Sequence, residues 1–426
     1  MKVNRTSLLL GALAVASAAV VTAGDAARRF TWTTPSAEAK TMLRELQTRI
    51  ESFQFGPANV ELAQKIVAAD PAFAMGHYYL AATQAGPAGQ AAYEKAAELA
   101  KAASVGERRF IEAMGGVRNV QTANDPRIQQ TIDKLEALAT DYPEERLLQV
   151  ILGQLYQGSS QPAKARAAFE RCEKIGPSSP RVRSFLANDE LLGGEYAKAR
   201  ASFEAIEREL PKGTAPFAVR YGIAFTHLYE GNPDAAIHSL EAYLAEYRNA
   251  GLNQGFPEVF IWNSIARIHL EHGRYEAAMK AYDSGFESVP GSGLADDQKQ
   301  LWQGRLVHGR ARVLARLGRR DEAWAEAVKI KAMIEAAGEQ GTAFWPAYHY
   351  LAGYLKLEAG EPAAAIEHLE QADPNDPFHT LLLARAYEKS GRATDARKAY
   401  ERVVASPNNG LERALAFPEA KRRLAS

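Results

Sequence analysis

Of the nine histidines, the only close pair with an acid between them is His269-Leu270-Glu271-His272. A zinc hydrolase of the familiar kind spaces its ligands as HExxH or HxxEH, so that two histidines and a carboxylate share one helix face, and this segment does neither. His269 is read as a packing residue and His272 as an exposed one. The sequence contains no GxSxG elbow, no GxxxxGK[ST] phosphate loop and no CxxC pair, so hydrolysis, nucleotide use and dithiol exchange lack a candidate centre. Cys172 is the one cysteine. It can form neither an internal disulfide nor a thiolate metal site, and its position reads as small and packed. Asp296-Asp297 fit the acidic preference of a helix N-terminus. No catalytic residue, metal or cofactor is expected.

With 51 basic and 51 acidic side chains mixed along 426 residues, the chain offers no tract for phosphate backbones, and nucleic acid is not an expected partner. Lys2 and Arg5 precede an apolar run, Leu8 to Val21, followed by small residues where a peptidase could cut at Ala23. This reads as a secretory signal, or, uncut, as a membrane anchor. Basic residues at the extreme N-terminus keep that end cytoplasmic, so both readings place everything after Asp25 in the periplasm or on the extracytoplasmic face. Membrane contact is expected only through that segment.

What chemistry remains is noncovalent, and helical elements must position it. After Pro35 the periodicity is helical and Gly or Pro interrupts it every fifteen residues or so. Small residues recur twelve apart: Gly153 with Ala165, Ala187 with Ala199, Ala224 with Ala236, Ala266 with Ala278, Ala311 with Ala323, Gly353 with Ala365, Ala384 with Ala396. Two helices joined by a short turn approach closely only where both present Ala or Gly. Phe169, Phe203, Leu240, Tyr282, Leu369 and Tyr400 stand four residues beyond the second small residue, ready to fill the wedge past the crossing. Gly194, Gly231, Gly273, Gly318, Gly360 and Gly391 supply the left-handed cap between the helices, and prolines such as Pro177, Pro211, Pro290, Pro377 and Pro407 close the units.

These residues resemble the tetratricopeptide repeat, a 34-residue helix pair. Leu152-Gly153, Tyr156, Ala165, Phe169, Cys172 and Pro177 form one unit; Leu186-Ala187, Gly194, Ala199, Phe203, Ile206 and Pro211 follow 34 residues on; a third contains Trp262, Ala266, Gly273, Ala278, Tyr282 and Pro290. Arg310, Gly285 and Ala327 depart from the pattern, and the connections at 250–257 and 291–299 are long. The resemblance implies an all-α, right-handed superhelical solenoid of about ten antiparallel helix pairs. The expected organisation is a signal or anchor over 1–23, a linker over 24–35, degenerate helical pairs over 36–143, the regular array over 144–409, and a polar capping helix over 410–426.

In such an array the first helix of each pair lines a concave face. The positions that should project into it include Arg181, Asn188, Tyr221, Phe225, Asn263, Arg267, Arg305, His308, Arg312, Tyr350, Tyr354 and Arg385. Aromatic, guanidinium and amide groups on rigid helices anchor bound peptides. The Lys and Asn carboxylate clamp of some family members is absent. The expected function is therefore a non-enzymatic scaffold of the cell envelope holding an extended peptide or partner helix in its groove; the alternative is an accessory subunit that binds glycan or peptidoglycan through the same aromatics.

Overall fold

The computed structural model describes residues 28–426 apart from 85, 119, 121–124, 160, 211–213, 251–257 and 408. The export segment 1–23, the start of the expected linker, Pro211 and most of the 250–257 connection lie outside the described residues. Among those described there are twenty-one α-helices, one 3-10 turn and no strand. None of the helices is long and apolar enough to cross a membrane.

The chain divides into two compact units between Asp189 and Glu190. Unit 1 contains α1 (Ala37–Glu51), α2 (Pro57–Ala69), α3 (Ala74–Thr83), α4 (Gly86–Ala100), α5 (Val105–Gly115), α6 (Pro126–Asp141), α7 (Arg146–Gly158), α8 (Pro162–Ile175) and most of α9 (Pro180–Leu192). Unit 2 continues with α10 (Tyr196–Glu209), α11 (Phe217–Tyr229), α12 (Pro233–Ala250), α13 (Glu258–Glu271), α14 (Tyr275–Ser288), α15 (Asp296–Arg316) and α16 (Arg320–Ala336). After the 3-10 turn Gly338–Phe344 come α17 (Trp345–Glu358), α18 (Pro362–Leu369), α19 (Pro377–Lys389), α20 (Ala393–Ala405) and α21 (Leu411–Ala425). The division falls well past the expected one at residue 143. Repeat regularity begins there, but packing ignores it: one apolar core runs from Phe30 through Leu135, Leu148 and Phe169 to Val182.

The hairpin turns follow from the glycines. The six turn glycines have φ between 75° and 85°, a region a Cβ disfavours. Each is followed by the same closure, a backbone N–H reaching back over the glycine to the carbonyl five residues earlier: Asn232 to His227 at 2.9 Å, Arg274 to His269 at 2.9 Å, Arg392 to Tyr387 at 2.9 Å. That six-to-one bond satisfies a carbonyl the helix end would otherwise leave open.

The small residues lie where the spacing places them. Ala187, Ala199, Ala224, Ala236, Ala266, Ala278, Ala311, Ala365 and Ala384 are completely buried. At glycines the approach is closer still. A Cβ on Gly153 would sit 2.4 Å from the Phe169 ring, one on Gly353 2.6 Å from Leu369, and one on Gly309 2.3 Å from the Tyr282 ring. At Gly153 and Gly309 an aromatic ring, and at Gly353 a leucine, thus rests on the bare backbone of the neighbouring helix. The departures from the pattern are absorbed locally: Arg310 pairs with Asp283 (3.4 Å), Ala327 is fully buried, and a Cβ on Gly285 would press on Leu306 and Trp262.

The described part of the expected linker is no linker. Phe30 is buried against Tyr142 (5.0 Å between ring centres) and Phe110 (6.1 Å), and Trp32 meets Phe73 edge-on. An aromatic pair in a short segment brings enough apolar area to order it. Two buried carboxylates receive its backbone: the Phe30 N–H donates to Glu145 (3.0 Å) and the Thr33 N–H to Glu107 (3.0 Å). At the start of α5 the Glu107 N–H donates to the Ser104 cap hydroxyl (3.4 Å) and that hydroxyl faces the Glu107 carboxylate (3.4 Å), while the Ser104 N–H itself donates to Thr33 Oγ1 (2.6 Å). Burial pushes both carboxyls above the ordinary glutamate range.

Gly309→Ala should destabilise unit 2 by roughly 1–3 kcal/mol, because fully buried Tyr282 has nowhere to move; chemical denaturation measures this, and an unchanged midpoint contradicts the close approach. For Glu107 the folded pKa exceeds the unfolded one, so wild-type stability falls as pH rises from the ordinary glutamate pKa of about 4.3 through the raised value. Relative to wild type, Glu107→Gln should therefore gain stability as pH rises across that window, and parallel pH–stability curves would contradict the assignment.

Candidate binding face of unit 2

The first helices of the unit 2 hairpins bring most of the candidate residues together, but into a packed interior. Arg312 on α15 donates from Nη1 to the Tyr350 hydroxyl (2.8 Å) and from Nη2 to the Tyr282 hydroxyl (3.2 Å). Arg267 on α13 stacks over Phe378 of α19 at 4.7 Å, and Tyr350 on α17 lies 4.0 Å from the His379 ring. His308 donates from Nε2 to the Ala347 carbonyl (3.2 Å). Burial, then Arg312, holds its imidazole well below the ordinary pKa, so it is neutral. Tyr354 completes the group, buried beneath Arg312 and Arg316. Tyr221 and Phe225 form a second cluster with Phe217, the Tyr221 hydroxyl meeting the Phe260 carbonyl (3.1 Å) and Ser264 (2.9 Å).

This corrects the expected open groove. Arg267, His308, Arg312, Tyr221, Phe225, Tyr350 and Tyr354 are all under 9 % exposed. The physical reason is that α13 and α19 come within stacking distance, so guanidinium and ring faces that would meet a peptide meet each other instead. Of the remaining candidates, Asn263 is half-buried and Arg305 is exposed over Trp302 (4.8 Å). Arg181 and Asn188 belong to unit 1, where Arg181 covers the exposed Phe55 ring at 5.7 Å.

Arg385 has a specific partner that the sequence reading missed. Its Nε donates to Glu419 at 2.9 Å in a two-pronged pair, and Glu419 lies on α21, which packs on α11, α13, α19 and α20. Arg413 of α21 is buried, donates to the Tyr229 hydroxyl (2.7 Å) and the Val404 carbonyl (3.3 Å), and stacks on Phe417 (4.3 Å). Phe417 in turn meets Tyr229 edge-on at 5.4 Å. The terminal helix is therefore an occupant of the inner side of unit 2 as well as a cap. Leu411, Ala414, Phe417 and Ala420, three residues apart and all buried, were the available signal beneath its charged residues. Burial would raise the Glu419 carboxyl, but Arg385 outweighs it and holds the group below the ordinary glutamate range.

Away from this face, His272 is exposed and His269 half-buried, as read. Among the described residues no three His, Cys, Asp or Glu side chains converge as metal ligands. Cys172 is buried, with its thiol pushed up to about 12 by desolvation, which leaves no thiolate near neutrality. Helix α15 begins at Asp296-Asp297.

Fold and face together define an all-α array of helix hairpins. Residues 150–214 and 221–292 match one family model described as tetratricopeptide repeat, and residues 356–416 match another; the chain is a tetratricopeptide repeat protein. Solved structures similar to it include a tetratricopeptide repeat protein from Parabacteroides merdae (15% identity, 66% of this chain and 98% of that one, TM-score 0.47). Yeast Tom70 (10%, 92% and 90%, TM-score 0.45) and the type IV pilus biogenesis factor PilW (17%, 57% and 99%, TM-score 0.40) are others. No curated protein matches the chain.

Arg413→Ala removes a charge-assisted bond worth about 1.5–3 kcal/mol and should speed amide exchange in α21 ahead of α13; equal protection in variant and wild type would contradict the docking role. Because the Glu419 pKa is lowered, the Arg385–Glu419 pair contributes stability present above the ordinary glutamate pKa and lost as pH falls through the lowered value. Acid titration followed by amide exchange should release α21 across that window in wild type, with no such pH step in Glu419→Gln.

Proposed function

We propose that the protein is an exported, non-enzymatic adaptor of the cell envelope that recognises a partner helix at the seat α21 occupies. Lys2, Arg5 and the apolar run that follows support export. The repeat family supports protein binding as the general role. The carrying observation is the seat itself. Tyr229, the Val404 carbonyl and Arg385 read a helix through an arginine, an aromatic ring and a glutamate, at Arg413, Phe417 and Glu419. A partner helix repeating that pattern meets the same readers, the helix-in-groove mode of recognition. Pro418 inside α21 cannot donate its backbone bond, which weakens that helix and favours its displacement by a competitor.

The glycan alternative loses its support, since Tyr221, Phe225, Tyr350 and Tyr354 have no face free for a sugar ring.

Two variants test the reading in opposite directions. Glu419→Ala weakens the occupant and leaves the seat intact, so crosslinking in intact cells should capture more of one partner; Arg385→Ala removes a reader and should capture less. Equal yields from wild type and both variants would refute the seat as the recognition surface.

A further inference from the structure

Beside the seat, where α21 packs on the end of α11 and Tyr196 opens α10, lies a cavity of about 410 Å³. Its walls are aromatic. Tyr196 and Tyr229 stack at 5.3 Å with 14° between their planes, and Phe417 stands edge-on to Tyr229, with Pro418 beside it. Lys421 and Arg422, both exposed, line the same space, and among the described residues neither forms an ion pair. The one acid in the lining, Glu230, is already neutralised: Arg200 takes its Oε1 at 3.1 Å and its Oε2 at 2.6 Å. The Tyr229 hydroxyl is committed to Arg413, whereas the Tyr196 hydroxyl makes no hydrogen bond among the described residues. The cavity therefore offers an apolar, ring-lined wall, a free phenol and two exposed cations, Lys421 over the Phe417 ring (5.8 Å) and Arg422 within reach of the Glu419 charge.

We infer that this cavity binds an aromatic carboxylate, its ring against the outer side of the Tyr196 ring and Pro418 and its anion on Lys421 and Arg422. The volume lies within the usual range for small-ligand pockets. Aromatic walls bury a planar ring at favourable stacking angles. A carboxylate there gains charge-assisted bonds from two exposed cations that form no close ion pair among the described residues, whereas a neutral ring gains none. An aliphatic acid satisfies the cations and forgoes the stacking. The same chemistry comes from a free aromatic acid or from the C-terminal aromatic residue of a peptide. Because α10 and α11 form one wall and α21 the other, such a ligand bridges them and holds α21 docked. The inference does not depend on the partner-helix reading, since it uses the closed arrangement already present.

Calorimetric titration of the full chain tests it with three probes: 3-phenylpropionate, its amide, and an octapeptide ending in phenylalanine with a free carboxylate. The acid probes should bind saturably and the amide about tenfold more weakly or worse, the loss of roughly 1.4 kcal/mol. Lys421→Ala/Arg422→Ala should weaken the acids by at least as much while leaving the melting temperature unchanged, since both side chains are exposed. Tyr196→Ala should weaken acid and amide alike. A peptide that outbinds the free acid identifies a protein C-terminus as the source, and equal affinities identify the free acid. Acid and amide binding equally well, or no saturable binding by either acid probe, would overturn the proposal.

Discussion

Everything in this protein depends on how near two helix backbones can come. At Gly153, Gly309 and Gly353 the missing Cβ leaves room for a ring or branched side chain that would lie only 2.4, 2.3 and 2.6 Å from a Cβ placed there, well inside ordinary contact. Such contacts are at interior packing density, where a single methyl is felt. Because the large residue that fills each gap comes from a neighbouring helix, close approach inside one hairpin carries over to the next. The array is therefore a chain of nearest-neighbour interfaces, each setting the position of the one after it.

That approach decides what becomes of the polar inner residues. An open concave face would present Arg267, Arg312, Tyr350 and Tyr354 to solvent or a peptide. In unit 2 the inner helices come within ring-stacking distance, and the guanidinium groups lie on aromatic faces and phenolic oxygens. Arginine suits this role, since its planar, weakly hydrated cation tolerates an aromatic lining better than an ammonium does. Such a centre holds positive charge with neutral His308 beside it. The helix α21 then covers what remains of that inner side.

Each unit uses a terminal stretch of chain to satisfy its own interior. In unit 1, residues 28–35 supply Phe30 and Trp32 to the core and two backbone donors to Glu107 and Glu145. In unit 2, α21 supplies Arg413, Phe417 and Glu419 to Tyr229, the Val404 carbonyl and Arg385. Repeat arrays need their end faces covered. Here the covering elements also meet groups far away in sequence, Arg413 and Tyr229 being 184 residues apart, which is contact of a kind nearest-neighbour stacking does not require.

Local rules made the hairpins legible before any coordinates. Gly231 and Gly391 had to be left-handed because a helix must end there and reverse, and the twelve-residue spacing of Ala224 with Ala236 had to mark a crossing because only small residues allow one. Cys172 as a packed residue and Asp296 as a helix start follow from the same short-range chemistry. The fate of Tyr221, Arg267 and Tyr350 was beyond that reach. Whether a side chain on an inner helix faces solvent or another helix depends on the accumulated curvature of five hairpins, a sum of small rotations that no single repeat encodes. The same holds for Phe30 and for α21, whose partners are set by where distant helices arrive. Sequence determined the unit and its turns, because those depend on neighbours a few bonds away; tertiary structure decided what each inner residue touches, because that depends on how the repeats add.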